Sequence, residues 1–105
     1  MGQFCAYKNP NPGTRKQYPY LLDIQSDLLS ALRTTVVIPL APTRMAAPMS
    51  LSRLNPTFDI DGEGYTAITQ DMAGIDRNQL GAQVFDLSAY RSDIVAAVDF
   101  VLAGI

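Results

Sequence analysis

Apolar residues recur at three- and four-residue steps through the last stretch of the chain: Tyr90, Ile94, Val98, Val101 or Leu102, and Ile105. That period draws one stripe along an α-helix. Ser88 is placed to open the helix as its N-cap, Asp93 suits the positive end of its dipole, and Gly104 suits the position just past its end. The stripe spills over. From Ile94 to Ala103 the only polar side chain is Asp99, so Val95, Phe100 and the alanines carry apolar surface to the far side. A helix apolar all round is normally buried on more than one face. A chain of 105 residues has little core in which to surround it. The pattern therefore predicts that part of this helix meets another protein, a central core helix being the plainer alternative. The sequence ends on Leu102-Ala103-Gly104-Ile105 with no polar tail, which reads as a contact surface.

Before the helix the period shortens to that of strands. Gln3 to Tyr7 is a short apolar run ending in Lys8-Asn9-Pro10-Asn11-Pro12-Gly13, a cluster of turn formers. Tyr18 to Ile24 resumes extended character, so the two runs read as a hairpin with a long loop. Gln25 to Leu32 is a single helical turn or an irregular loop. Its adjacent Leu28 and Leu29 point in different directions, so at least one is hard to bury locally. Thr34 to Leu40 is the strongest strand, β-branched and continuous, and predicted to be buried on both faces, with pairing broken or bulged at Pro39. Ala41 to Asn55, with Pro42, Pro48, Met45 and Met49, reads as a long excursion with one loose helical turn. Thr57 to Asp61 alternates, facing Phe58 and Ile60 inward. Asp61-Gly62-Glu63-Gly64 then makes a hairpin turn before the returning strand Tyr65 to Gln70. Met72 to Ile75 and Gln83 to Phe85 are short strands flanking the polar loop Asp76-Arg77-Asn78-Gln79. The expected fold is all-β or α+β, a small antiparallel β-barrel with one C-terminal α-helix across it, in a single domain over residues 1–105.

Composition narrows what such a domain does. Eight basic against ten acidic residues, with a pI near 4.7, give no electrostatic footprint for phosphate backbones. Arg15-Lys16 is the only basic pair. No run approaches a membrane span, and the N-terminus lacks an apolar signal region, so a cytoplasmic protein is expected. One cysteine, Cys5, excludes an intramolecular disulfide and falls in an apolar strand, where a thiol is inert. The absence of histidine removes the commonest general base and neutral metal ligand. Asp59-Ile60-Asp61-Gly62-Glu63 lacks the spacing and distal glutamate of a calcium loop. Asp23, Asp27, Asp71 and Asp93 form a carboxylate pair only if the fold brings them together. The residues thus read as a binding module with no catalytic residue, metal or cofactor, against a minor alternative of metal-free acid–base or nuclease chemistry on Arg, Thr and Asp.

Four stretches carry a resemblance that covers essentially the whole chain in order. They are Tyr18-Pro-Tyr-Leu-Leu-Asp23-Ile-Gln25-Ser26-Asp27-Leu-Leu29, Val37-Ile38-Pro39-Leu40, Thr69-Gln-Asp71-Met72-Ala73, and Ala96-Ala-Val-Asp-Phe-Val-Leu-Ala-Gly104-Ile105. Together they resemble the CcdB toxins of toxin–antitoxin modules. The resemblance implies an SH3-like barrel assembled as a homodimer, which is not an enzyme but binds the A subunit of DNA gyrase and traps it on cleaved DNA. It also implies a CcdA-like antitoxin that wraps the toxin, a role in plasmid maintenance, and autoregulation of transcription in which DNA is touched only through the antitoxin. The implied gyrase-binding residues are Ser26, Leu28 and Leu29 in the first stretch, with Asp99, Leu102, Ala103, Gly104 and Ile105 at the end. Most are the apolar residues that the pattern alone leaves without a partner.

One departure stands out. Well-known CcdB toxins carry Trp immediately before the final Gly-Ile, where its ring stacks on a gyrase arginine; here that position is Ala103. A weaker toxin, redistributed contacts, or a non-toxic homologue that only binds antitoxin would each fit. A ribonuclease toxin on the related MazF-like barrel would need a basic groove for RNA, which the charge balance disfavours.

Overall fold

The computed structural model describes residues 2–46 and 53–104. Of the predicted elements, Ile105 and the Pro48–Met49 part of the excursion lie outside these residues. The described residues form seven strands in one antiparallel sheet: β1 (Cys5–Lys8), β2 (Tyr20–Asp23), β3 (Thr34–Pro42), β4 (Thr57–Ile60), β5 (Glu63–Ala67), β6 (Ala73–Asp76) and β7 (Gln83–Asp86). Six of them run in the order β4-β5-β3-β2-β1-β7, with β6 joined to β3 beside β5, and the sheet curls into a half-barrel. Helix α1 is a single turn (Thr43–Ala46), and α2 (Arg91–Ala103) closes the fold.

Strand β3 is the spine. Its hydrophobic run carries alternate residues into two apolar layers, so Thr35, Val37, Ile38 and Leu40 are all buried. One edge pairs with β2 from Leu21↔Pro39 to Asp23↔Val37 without a shift. The other edge is shared: β6 takes Thr34 to Val37 and β5 takes Leu40 to Pro42. Pro39 sits where one partner hands over to the next. Its carbonyl accepts from Ile68 N–H at 2.9 Å, so its missing N–H faces the same gap and costs no ladder bond. The expected interruption at Pro39 is therefore confined to one edge and involves no bulge. The register shift lies instead in β1, between Ala6 and Tyr7.

The inner face holds Ala6, Leu22, Ile38, Leu40, Phe58, Ile60, Tyr65 and Leu87. Phe58 and Ile60 point in while Thr57 and Asp59 face out, as the alternation predicts. The β4–β5 hairpin turns through Asp61 (φ 53°) and Gly62 (φ 83°), a two-residue loop whose positive φ values match strand twist. Strand β5 stops at Ala67, and Thr69–Asp71 forms a 3₁₀ turn where continued strand was expected.

Helix α2 covers the open side of the half-barrel with Ile94 and Ala97, both essentially inaccessible to water. Complete burial of a side chain like Ile94 contributes about 1.5–3 kcal/mol. Ser88 does not cap it. Ser88 opens a 3₁₀ turn, Ser88–Tyr90, that leads into α2 at Arg91; neither carries a side-chain cap, and the Asp86 carboxylate accepts from Ser88 N–H at 2.9 Å in the bend out of β7. Hydrogen bonding from Ser88 holds the Asp86 carboxyl below the usual carboxylate range.

Candidate partner-binding surface

The loop between β2 and β3 places three leucines in water. Leu28 is 94% exposed, Leu29 46% and Leu32 49%. Local polar groups shape it: Ser26 Oγ accepts from Leu28 N–H at 3.2 Å and caps a 3₁₀ turn over Asp27–Leu29. The start of the turn is tied to the barrel. Asp23, buried at the end of β2, accepts from Gln25 N–H at 3.1 Å and from the Thr35 hydroxyl at 2.7 Å. Asp27 accepts from Gln3 N–H at 2.9 Å. Both leucines of the Ser26–Leu29 stretch therefore stay outside the core.

The end of α2 provides the second part. Its surplus apolar surface is real but uneven: Val98, Phe100 and Val101 are half-buried, while Val95 is 40% and Leu102 72% exposed. Arg53 covers the Phe100 ring, its guanidinium carbon 5.0 Å from the ring centre. Gly104 adopts the left-handed conformation (φ 71°), where a side chain would be strained, and donates to Phe100 carbonyl at 2.9 Å. Asp99, Ala103 and Gly104 are exposed.

A shallow cleft of about 110 Å³ connects the helix to the loop. Val95, Val98 and Asp99 line one side, and Gln3, Phe4 and Ile24 the other. Gln3 is the bridge, since its side-chain amide also donates to Ile24 carbonyl at 3.2 Å. Asp99 thus shares a cleft with Gln3 and Ile24, and Leu102, Ala103 and Gly104 are not among its lining residues. Ile105 lies outside the described residues. Sequence pattern does not single out Leu32, Gln3 or Arg77, which reaches the loop from the end of β6. Leu32 is one apolar residue among many. Gln3 and Arg77 act on main-chain atoms, which leaves no pattern in the sequence.

The outer face of β2, β3 and β6 forms a different, larger groove of about 580 Å³. Leu21, Val37 and Pro39 floor it, and Asn9, Asn78 and Asp71 stand on its rim. Asp71 is the one charged side chain in its lining among the described residues. Tyr18 donates to Asp71 at 3.3 Å, and burial together with that carboxylate pushes the phenol pKa up. Burial likewise pushes the Cys5 thiol up, with Asp86 nearby adding to it, which keeps it protonated and inert. The acidic residues Asp23, Asp27 and Asp71 have separate partners. Among the described residues no group of three or more His, Cys, Asp or Glu is arranged to hold a metal ion. No helix of the described residues is long and apolar enough to cross a membrane.

A sequence profile of the CcdB protein family matches residues 3–104. Solved structures with the same fold include a mycobacterial endoribonuclease in complex with its cognate antitoxin, at 14% identity and TM-score 0.76, covering 97% of this chain and 94% of that one. A second mycobacterial endoribonuclease matches at 15% identity and TM-score 0.71, over 97% and 90% of the two chains. An Mtb toxin matches at 13% identity and TM-score 0.70, over 91% and 98%.

Proposed function

Because the chain belongs to the CcdB family, we propose that it is the toxin of a type II toxin–antitoxin module. In this reading it binds the A subunit of DNA gyrase and traps the enzyme on cleaved DNA. The observation that carries the reading is the pair of exposed apolar elements, Leu28 and Leu29 on the β2–β3 loop and Leu102 on α2. Apolar side chains held this far into water mark a surface used by a partner. Asp99 supplies the rim of that surface with a carboxylate for a cationic group of gyrase, and Ser26 acts by capping the turn that carries the leucines. Ala103 and Gly104 at the helix end, with Ile105 next in sequence, complete the proposed gyrase-binding set.

The chemistry is binding, not catalysis. The chain holds no histidine, and the groove on its outer sheet face has an apolar floor with amides, hydroxyls and one carboxylate around it and no cationic side chain in its lining, a poor match for an RNA backbone. A CcdA-like antitoxin is the neutralising partner, in line with the antitoxin bound to a structural neighbour. Two copies associate through the surplus apolar face of α2 and nearby strand residues, and light scattering at tens of micromolar checks this.

A second reading has a specific observation behind it, since neighbours of the same fold are endoribonucleases. Expression in cells with and without a gyrase resistance mutation separates the readings. The proposed function predicts growth arrest that the mutation rescues. Arrest that the mutation leaves untouched favours a ribonuclease, and no arrest identifies a homologue that only binds antitoxin.

A further inference from the structure

The three leucines of the β2–β3 loop are held in water by something other than their own packing. Arg77, immediately after β6, bonds to the loop's main chain. Arg77 Nε donates to Leu32 carbonyl at 2.7 Å and Nη2 to Leu29 carbonyl at 3.2 Å. Its third nitrogen, Nη1, lies 3.9 Å from the buried Asp23 carboxylate. The Arg77 N–H donates to Arg33 carbonyl at 2.8 Å, and the Arg33 side chain pairs with Asp76 at 3.2 Å. The last contact is solvent-exposed and adds little. The Arg77 side chain itself is only 16% exposed and that of Asp23 2%, while the two carbonyls it holds lie on the exposed loop.

One planar guanidinium therefore fixes two carbonyls, three residues apart, to a carboxylate anchored in β2. Leu28 gains nothing from this arrangement, since it is 94% exposed. A leucine-rich loop free to move would fold its side chains onto the nearest apolar surface. Holding them out lowers the ordering cost when a partner arrives. We propose that Arg77 is the positioning residue of the partner-binding loop, setting the Leu28–Leu29–Leu32 platform through its grip on the loop carbonyls and Asp23. This rests on the reading above, in which that loop binds gyrase.

The test uses the full chain with Arg77→Lys, which keeps a cation beside Asp23 but loses the fork that spans both carbonyls. Arg77→Met serves as a second variant; it strands the buried Asp23 carboxylate and lowers the melting temperature, so a general stability loss is recognisable beside the lysine variant. In Arg77→Lys, hydrogen exchange of amides 28–33 accelerates about tenfold or more while β2 and β3 amides keep their protection. Affinity for a gyrase A fragment falls about five- to thirtyfold. Leu28→Ala, which weakens binding by the parent chain, then costs much less in the Arg77→Lys background, because the platform is already lost. Unchanged loop exchange overturns the proposal, and so do losses from Leu28→Ala and Arg77→Lys that simply multiply. If the parent chain does not bind the gyrase fragment, the gyrase reading fails by itself, and loop exchange still decides whether Arg77 holds the platform.

Discussion

Leu22 and Leu28 stand six positions apart and meet opposite fates: the first is wholly buried in the barrel, the second 94% exposed. Leu22 lies in β2, where main-chain bonds to β1 and β3 are satisfied by the sheet and the side chain adds only packing. Leu28 lies in a turn held by Ser26, Asp23, Asp27 and Arg77, none of which touches its side chain through a hydrogen bond. Apolar character is thus spent on stability in one place and, in the function proposed above, kept for a partner in the other. Polar groups decide which.

The contrast breaks most visibly under alanine substitution. Leu22→Ala removes a fully buried side chain from a close-packed core and should cost about 2–5 kcal/mol in chemical denaturation. Leu28→Ala should change stability by no more than about 0.5 kcal/mol, as surface replacements do. A comparable loss from both would place Leu28 in a structural role. Removing Gly104 and Ile105 extends the comparison to the helix end. Gyrase binding should fall by about thirtyfold or more, the scale of an interface hot spot, with nearly unchanged melting temperature. A large drop in melting temperature would show the tail to be part of the core.

Ala103→Trp sharpens the same contrast by adding apolar surface where the resemblance to well-known CcdB toxins implies an indole. A stack on a guanidinium is worth about 1–2 kcal/mol, so titration against a gyrase A fragment should show roughly five- to thirtyfold tighter binding. Weaker binding would mean that Leu102 or Ile105 already fills the pocket. The smallest effect concerns the start of α2. The folded-state pKa of Asp86 lies below its unfolded value, so its hydrogen bond from Ser88 stabilises the fold above the unfolded pKa and is lost as pH falls through the folded one. An NMR titration of the Asp86 carboxyl should show the depressed midpoint, and Asp86→Asn should flatten that part of the acid-stability curve.

The buried side of the comparison is legible in the sequence and the polar side is not. Continuous β-branched residues announce β3, alternation announces Phe58 and Ile60, and Gly104 announces the helix end, because each signal is local and periodic. The excess of apolar residues on α2 and the adjacent Leu28–Leu29 pair also point to exposed surface through spacing alone. The uncapped 3₁₀ entry into α2 is hidden, because Ser88 is a good capping residue by type and only the path out of β7 carries it into the 3₁₀ turn instead. The division of one β3 edge between β5 and β6 is hidden as well, since Pro39 signals a missing donor but not which side it faces. Arg77 is the least visible, its partners being the carbonyls of Leu29 and Leu32 and an aspartate fifty-four positions earlier.

The central claim, that the exposed leucines are reserved for gyrase, is tested most directly by one titration. The parent chain, Leu28→Ala and Leu102→Ala are each titrated against the same gyrase A fragment, with melting temperatures measured alongside. The account predicts binding by the parent chain, a loss of about tenfold or more in each variant, and three nearly equal melting temperatures. Variants that bind as tightly as the parent would contradict it.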